Sequence, residues 1–337
     1  ADAAVDALES VPGRFVLAYG NIQQGPWEWS ASKDFRSFVE RRFGSKDDML
    51  GFQMAFDVTG DPEFPEKAAF EVARELGVPV TTHAGVWGAT NDDGIKLMHD
   101  HGFMEPGHIY VHAATLTEDS YNRIAATGGS VSVSTESEQS AGQGYPPTWQ
   151  LRKHGIPVSL SMDSSVWWSG ALVGAMRTTL GADRSREHRE APSKQATVTN
   201  HHLRAEQVVD WATRGGSKAL GMDALIGSLE PGKKADVVLV RNDDSPVMFP
   251  VLHPYGHVAF QAQRADVHTV VVNGRVVKHE GKLVGVDLTR ARAAIEETVA
   301  FAQSTLGDAW TGGMHPEIPE RQVLENPYQY TEWGKAS

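Results

Sequence analysis

His83, His112 and Asp163 are the residues of this chain best placed to do chemistry. Each ends a short apolar or β-prone run: Val78-Pro79-Val80-Thr81-Thr82-His83, His108-Ile109-Tyr110-Val111-His112 and Val158-Ser159-Leu160-Ser161-Met162-Asp163. Each run reads as a buried strand with a metal-ligand type of side chain at its C-terminal end. In a parallel α/β barrel those ends meet at one mouth, where active sites are built. Two imidazoles and a carboxylate delivered there are most of a hydrolytic metal site, in which a divalent cation activates water. Taken singly, each residue has a plainer reading. His83 and His112 are then buried, hydrogen-bonded histidines, and Asp163 is a helix cap. Three ligand-type residues at three successive strand ends are harder to explain as packing. The remaining ligands should come from earlier strands. The chain opens on Ala1, not Met, so it is expected to start after them or to be part of a longer polypeptide.

Other polar residues weigh less. His99-Asp100-His101 has zinc-pair spacing but falls at a helix end, where residues two apart face different ways. It reads as a solvated last turn that suits the helix dipole. His201-His202 lies in a polar connection and reads as structural or exposed. Glu136 and Glu138 follow the Ser130–Thr135 run on one alternating face; they either meet substrate at the mouth or sit in a solvated loop. Trp87, Trp167 and Trp168 follow His83 and Asp163 closely, and could wall a pocket for a flat ring or cover the barrel top.

The elements that position these residues alternate strictly. Strands are expected at Arg14–Gly20, Leu50–Phe56, Val78–His83, Ile109–His112, Ser130–Thr135 and Pro157–Met162, with helices between them. Gly77 and Gly128 stop two of those helices, and Thr117 is the expected N-cap of another. Six strands in such alternation argue for a parallel sheet with helical crossovers. Either an open doubly wound sheet or an eight-stranded barrel without its first two strands fits. No Gly-rich phosphate loop follows any strand, which disfavours dinucleotide binding. After helical stretches at 170–182 and 205–220 the texture changes to strands and an Asn273-Gly274 hairpin turn. Helix returns from Val286 to about Leu306, and an aperiodic tail follows from Thr311.

Bulk numbers narrow the partners. At 337 residues, 40% hydrophobic and 22% charged, the chain can bury a barrel-sized core. Its net charge of −12 disfavours nucleic acid, whose phosphates need clustered Lys and Arg. A small-molecule substrate is the expected partner, and a homo-oligomer is left open. The absence of cysteine excludes disulfides, thiolate zinc sites and cysteine nucleophiles. No apolar run reaches membrane-spanning length, no signal peptide is evident, and a cytoplasmic location is expected.

The sequence resembles the amidohydrolase superfamily, in particular the branch of cytosine and guanine deaminases and triazine hydrolases. The resemblance rests on Val80-Thr81-Thr82-His83-Ala84, Val111-His112-Ala113, Gly144-Tyr145-Pro146-Pro147, Gly155-Ile156-Pro157-Val158 and Ser161-Met162-Asp163-Ser164. Farther on, Ala212 to Gly221, Ile226 to Asp236 and Val270 to Arg275 match too. It implies a (β/α)8 barrel, incomplete at its N-terminus, at 1–222. A small flanking β-sandwich segment would span 223–286, and a C-terminal helix and tail 287–337. It implies one divalent metal ion, zinc or iron, with His83 as the strand-five ligand. Asp163 would be the strand-eight ligand and the base that takes a proton from water. His112 would touch substrate or water, or serve as a further ligand. Glu136, Trp87 and Trp167 are the expected substrate contacts. Two departures stand out. The branch's strand-one His-x-His pair has no counterpart here, and Val86 stands where many of its deaminases carry a glutamate proton shuttle.

The leading expectation is a metal-dependent hydrolase cleaving a C–N bond of a cyclic, nitrogen-rich small molecule, a deaminase or a related amidohydrolase. The alternative is a truncated, catalytically incompetent barrel that acts as a binding or assembly subunit.

Overall fold

The computed structural model describes residues 1–20, 28–44, 49–87 and 89–317. Six strands pair in chain order into one all-parallel sheet: β1 (Phe15–Tyr19), β2 (Leu50–Ala55), β3 (Val80–Ala84), β4 (Ile109–His112), β5 (Ser130–Val133) and β6 (Val158–Leu160). This is the arrangement that strand–helix alternation predicts. Helix α1 (Asp2–Glu9) precedes β1. Helices α2 (Glu28–Ala31) and α3 (Lys33–Phe43) lie between β1 and β2, α4 (Lys67–Leu76) before β3, α5 (Asp92–Asp100) before β4, and α6 (Glu118–Thr127) before β5. Two short helices, α7 (Thr135–Ser140) and α8 (Thr148–His154), join β5 to β6.

Local chemistry sets several of the helix ends. Ser32 and Asn91 accept from the backbone N–H three residues on, and left-handed Gly77 and Gly128 close α4 and α6. Thr117 occupies the N-cap of α6 as expected, but does not cap with its side chain. Its hydroxyl and its backbone N–H both donate to Asp92 Oδ1, at 2.7 and 2.9 Å. The core lies between sheet and helices: Met54, Val80, Tyr110, Val131 and Val133 on strands meet Phe70, Ile95, Met98, Ile124 and Leu151 on helices. Burying each large apolar side chain contributes about 1.5–3 kcal/mol.

Beyond β6 comes the long helix α9 (Leu172–Ser193), then α10 (Ala205–Asp210), a π-turn (Trp211–Gly215) and α11 (Gly216–Ala219). A second, antiparallel sheet has the order β10 (Lys282–Leu283), β9 (Arg275–His279), β8 (Val267–Val272), β7 (Val237–Val240). Asn273 and Gly274 both have positive φ, 49° and 78°, as a two-residue hairpin turn requires. Arg14, at the start of β1, makes a two-pronged ion pair with Asp236, at the start of β7, with contacts of 2.7 and 3.1 Å. Helices α12 (Pro254–Gly256), α13 (Leu288–Leu306) and α14 (Asp308–Met314) complete the described chain, and α14 takes in the first residues of the expected aperiodic tail. No described helix is long and apolar enough to cross a membrane.

His201 and His202 both meet a partner on α9, although the His202 side chain is 81% exposed. The Glu187 carboxylate lies 2.8 Å from His201 Nδ1 and 2.7 Å from His202 Nδ1, and it accepts from the His202 backbone N–H at 3.1 Å. Burial pushes the Glu187 pKa up, but these donors outweigh it and hold the group at about 2. A depressed carboxylate stabilises the fold above its unfolded value and loses that contribution as pH falls towards the folded value. The clasp should therefore weaken between pH ~4.5 and pH ~2. Glu187→Gln is expected to lower the Tm at pH 7, with the gap to wild type narrowing as thermal melts are taken down through pH 4. A gap that stays constant with pH would refute the assignment.

Candidate functional site

The C-terminal ends of β3 and β4 bring His83 and His112 together. Their rings are nearly parallel, 10° apart in plane, with centroids 5.9 Å apart. Regular alternation would not do this. His112 pairs with Ala84, and His83 with Val111, so an ideal strand would send the two imidazoles to opposite faces. His112 instead adopts φ = 71° and Ala113 φ = 54°. This left-handed break ends the alternation where the ring is needed. Asp163, past the end of β6, is also left-handed at φ = 59°, and its N–H donates to Ser161 Oγ at 2.9 Å. Such conformations cost on the order of 1–3 kcal/mol each away from glycine and cluster at functional sites.

Two carboxylates complete the cluster. Asp57, just past β2, accepts from the His83 backbone N–H at 2.9 Å, and both its oxygens lie 3.2 Å from His83 Nδ1. The Asp57 hydrogen bond raises the His83 pKa against the opposing effect of burial, and the negative charge of Asp163 adds to the rise. Glu138, in α7, is completely buried. Its Oε1 accepts from Ser134 N–H at 2.7 Å and lies 3.2 Å from His112 Nδ1. Its Oε2 is buried with no partner among the described residues. Burial raises the Glu138 pKa, His112 opposes the rise, and the Asp163 charge reinforces it. Asp163 thus sits within electrostatic reach of both histidine–carboxylate pairs.

Three expectations need adjusting. The solvated-loop reading of Glu138 is corrected: the segment is helical from Thr135, because β5 stops at Val133, and the turn carries Glu138 inward. Glu136, its neighbour in α7, accepts from Ser169 N–H at 2.9 Å and so ties α7 to the loop after Asp163. His83, His112 and Asp163 were expected to close round one point. Among the described residues no three His, Asp or Glu side chains gather closely enough to hold a metal ion. The two rings have their Nδ1 atoms turned to carboxylates, and Asp163 lies exposed beside them.

Trp87 and Trp167 are 70% and 75% exposed, on the loops that follow β3 and β6. They do not cover the sheet; Trp168 is half-buried. His99 is held by Arg123 and Asp100 at the exposed end of α5, as a solvated last turn should be. Asp57 was missed in the sequence. It obeys the same rule as His83, a ligand-type residue just past an apolar run, here Leu50 to Phe56.

Residues 3–277 match the amidohydrolase family. A 5-methylthioadenosine/S-adenosylhomocysteine deaminase of Desulfitobacterium hafniense is 27% identical over 312 residues, covering 88% of this chain and 68% of the relative. The fold matches a zinc-bound adenosine deaminase from Xanthomonas campestris with TM-score 0.69 at 21% identity, over 90% of this chain and 69% of that one. It matches a zinc complex of atrazine chlorohydrolase from Arthrobacter aurescens with TM-score 0.70 at 20% identity, over 87% of this chain and 67% of that one. The chain therefore spans about two thirds of the length of each, and it belongs to the amidohydrolase family of enzymes.

Proposed function

We propose that this chain forms six strands of an eight-stranded α/β barrel and most of a metal-dependent site that hydrolyses a C–N bond of a purine-like substrate, releasing an amine. The observation that carries the reading is the stacked His83–His112 pair with Asp163 beside it, at strand ends of a parallel sheet. The names of the relatives support the substrate class: they include deaminases of 5-methylthioadenosine, S-adenosylhomocysteine and 5'-deoxyadenosine.

His83 and Asp163, with His112, would hold a zinc or iron ion. The donor types suit it, and each ring has Nδ1 engaged by a carboxylate, which leaves Nε2 for a ligand. When bound, such an ion makes water acidic enough to act near neutral pH. The chain's own residues do the rest. Asp163, exposed and with its charge felt at His83, takes the proton from the attacking water. Trp87 and Trp167 offer flat apolar surfaces to a ring, and Glu136 holds the Trp167 loop in place. Val86, where the resemblance places a proton-shuttling glutamate, is a buried apolar side chain, so proton transfer rests on Asp163.

A second reading, a scaffold that binds without turnover, is favoured by one observation: three donors do not converge among the described residues. Ammonia release separates the two. The intact natural protein, supplied with zinc or iron, should deaminate at least one of 5'-methylthioadenosine, S-adenosylhomocysteine and 5'-deoxyadenosine. A chelator should abolish the activity and added metal restore it. Firm binding of such a nucleoside with no ammonia released would establish the scaffold instead.

A further inference from the structure

We infer that Asp57 and Glu138 are positioning residues: each holds the Nδ1–H of one histidine, so that both rings leave Nε2 as the bare nitrogen. The inference deepens the proposed function and takes its meaning from that reading, but the proton positions exist without turnover.

The argument is one of acceptors. An ionised carboxylate only accepts hydrogen bonds. Both Asp57 oxygens lie 3.2 Å from His83 Nδ1, and Glu138 Oε1 lies 3.2 Å from His112 Nδ1. A bare Nδ1 would set a lone pair against those oxygens in each case. Neither carboxylate is free to swing away. Asp57 also takes the His83 backbone N–H at 2.9 Å, and Glu138 takes the Ser134 N–H at 2.7 Å. The Glu138 side chain is 0% exposed and the His112 side chain 2%, so water cannot replace either partner. With both Nδ1 atoms protonated, the lone pair of each ring is at Nε2, the nitrogen left to take an electrophile. The two supports come from different elements, the end of β2 and helix α7, so each ring is fixed independently of the other. Glu138 performs this at a place where the sequence offers only a short acidic segment, Glu136-Ser137-Glu138.

The test is histidine side-chain NMR on the intact, metal-free protein labelled with nitrogen-15, at alkaline pH. Long-range proton–nitrogen correlations report which nitrogen carries the proton. In wild type both His83 and His112 should be Nδ1–H. Glu138→Ala should move His112 towards Nε2–H, the form a free imidazole prefers, and leave His83 unchanged. Asp57→Ala should do the converse. Glu138→Gln and Asp57→Asn retain an acceptor oxygen and should keep the wild-type pattern. Should an alanine variant not fold, the wild-type spectrum and the amide variants still decide. Nε2–H on either ring of the wild type overturns the inference, as does an alanine variant that folds and keeps Nδ1–H. Expected tautomers in a protein that deaminates nothing would sink the deaminase reading alone. Wrong tautomers in an active deaminase would sink this one alone.

Discussion

Asp163→Asn should lower turnover on the order of 10²-fold or more while the fold persists, in line with the contribution of a general base. The substitution is close to a single-atom change at an exposed side chain. Asn tolerates the left-handed conformation at least as well as Asp, so φ = 59° at this position adds no new strain. The backbone N–H bond to Ser161 Oγ survives too. What is lost is the negative charge that faces His83 and Glu138, and the oxygen that can take a proton. The loss should fall on kcat more than on KM, because a base acts in the transition state and contributes little to ground-state binding. His112→Asn, equally compatible with φ = 71°, should also reduce turnover. Steady-state kinetics with a purine nucleoside, alongside thermal melts and metal analysis of each variant, check this. Undiminished turnover in a folded Asp163→Asn protein removes Asp163 from the mechanism.

The parts of this molecule that were legible in its sequence are those governed by local rules. Apolar runs of strand length, punctuated by Gly77 and Gly128, gave all six strands and their parallel pairing, while their order in the sheet followed only from the family resemblance. The same runs pointed to His83, His112 and Asp163, because a ligand-type residue ending a buried strand is visible in one dimension. What was not legible depends on three-dimensional partners. Asp57 looks like an ordinary polar residue after a strand until His83, 26 positions on, is seen beside it. Glu138 looks solvated by its neighbours Glu136 and Gln139, and only the early end of β5 turns it inward. The stacking of His83 on His112 needs a left-handed backbone at a non-glycine residue, which no propensity anticipates. Thr117 was placed at the right position for the wrong bond, since Asp92 on the preceding helix competes for its hydroxyl.

The glycine pair before α11 shows the same division in a form that can be measured. Gly215 and Gly216 are adjacent, both helical in backbone, and nothing in the sequence tells them apart. In the fold they are opposites. A Cβ on Gly215 would stand 2.1 Å from the backbone carbonyl oxygen of Val158 on β6, whereas a Cβ on Gly216 would meet nothing within 4 Å. The π-turn presses its bare backbone against the strand that leads to Asp163, and only glycine permits that approach. Gly215→Ala should therefore destabilise by about 3 kcal/mol, the upper end of overpacking costs, because the obstacle is backbone and cannot rotate aside. For a chain of 337 residues, whose unfolding entropy is about 0.7 kcal/mol/K, that is a fall in Tm of roughly 4 °C. Displacing β6 also moves Asp163, so turnover should drop along with stability. Gly216→Ala removes backbone freedom from the unfolded chain without a clash, and should be neutral or stabilise by up to about 1 kcal/mol. Thermal melts of the two single variants decide the matter. Equal Tm values for both would show that β6 does not depend on the bare backbone at Gly215, and that Asp163 is held in place by something else.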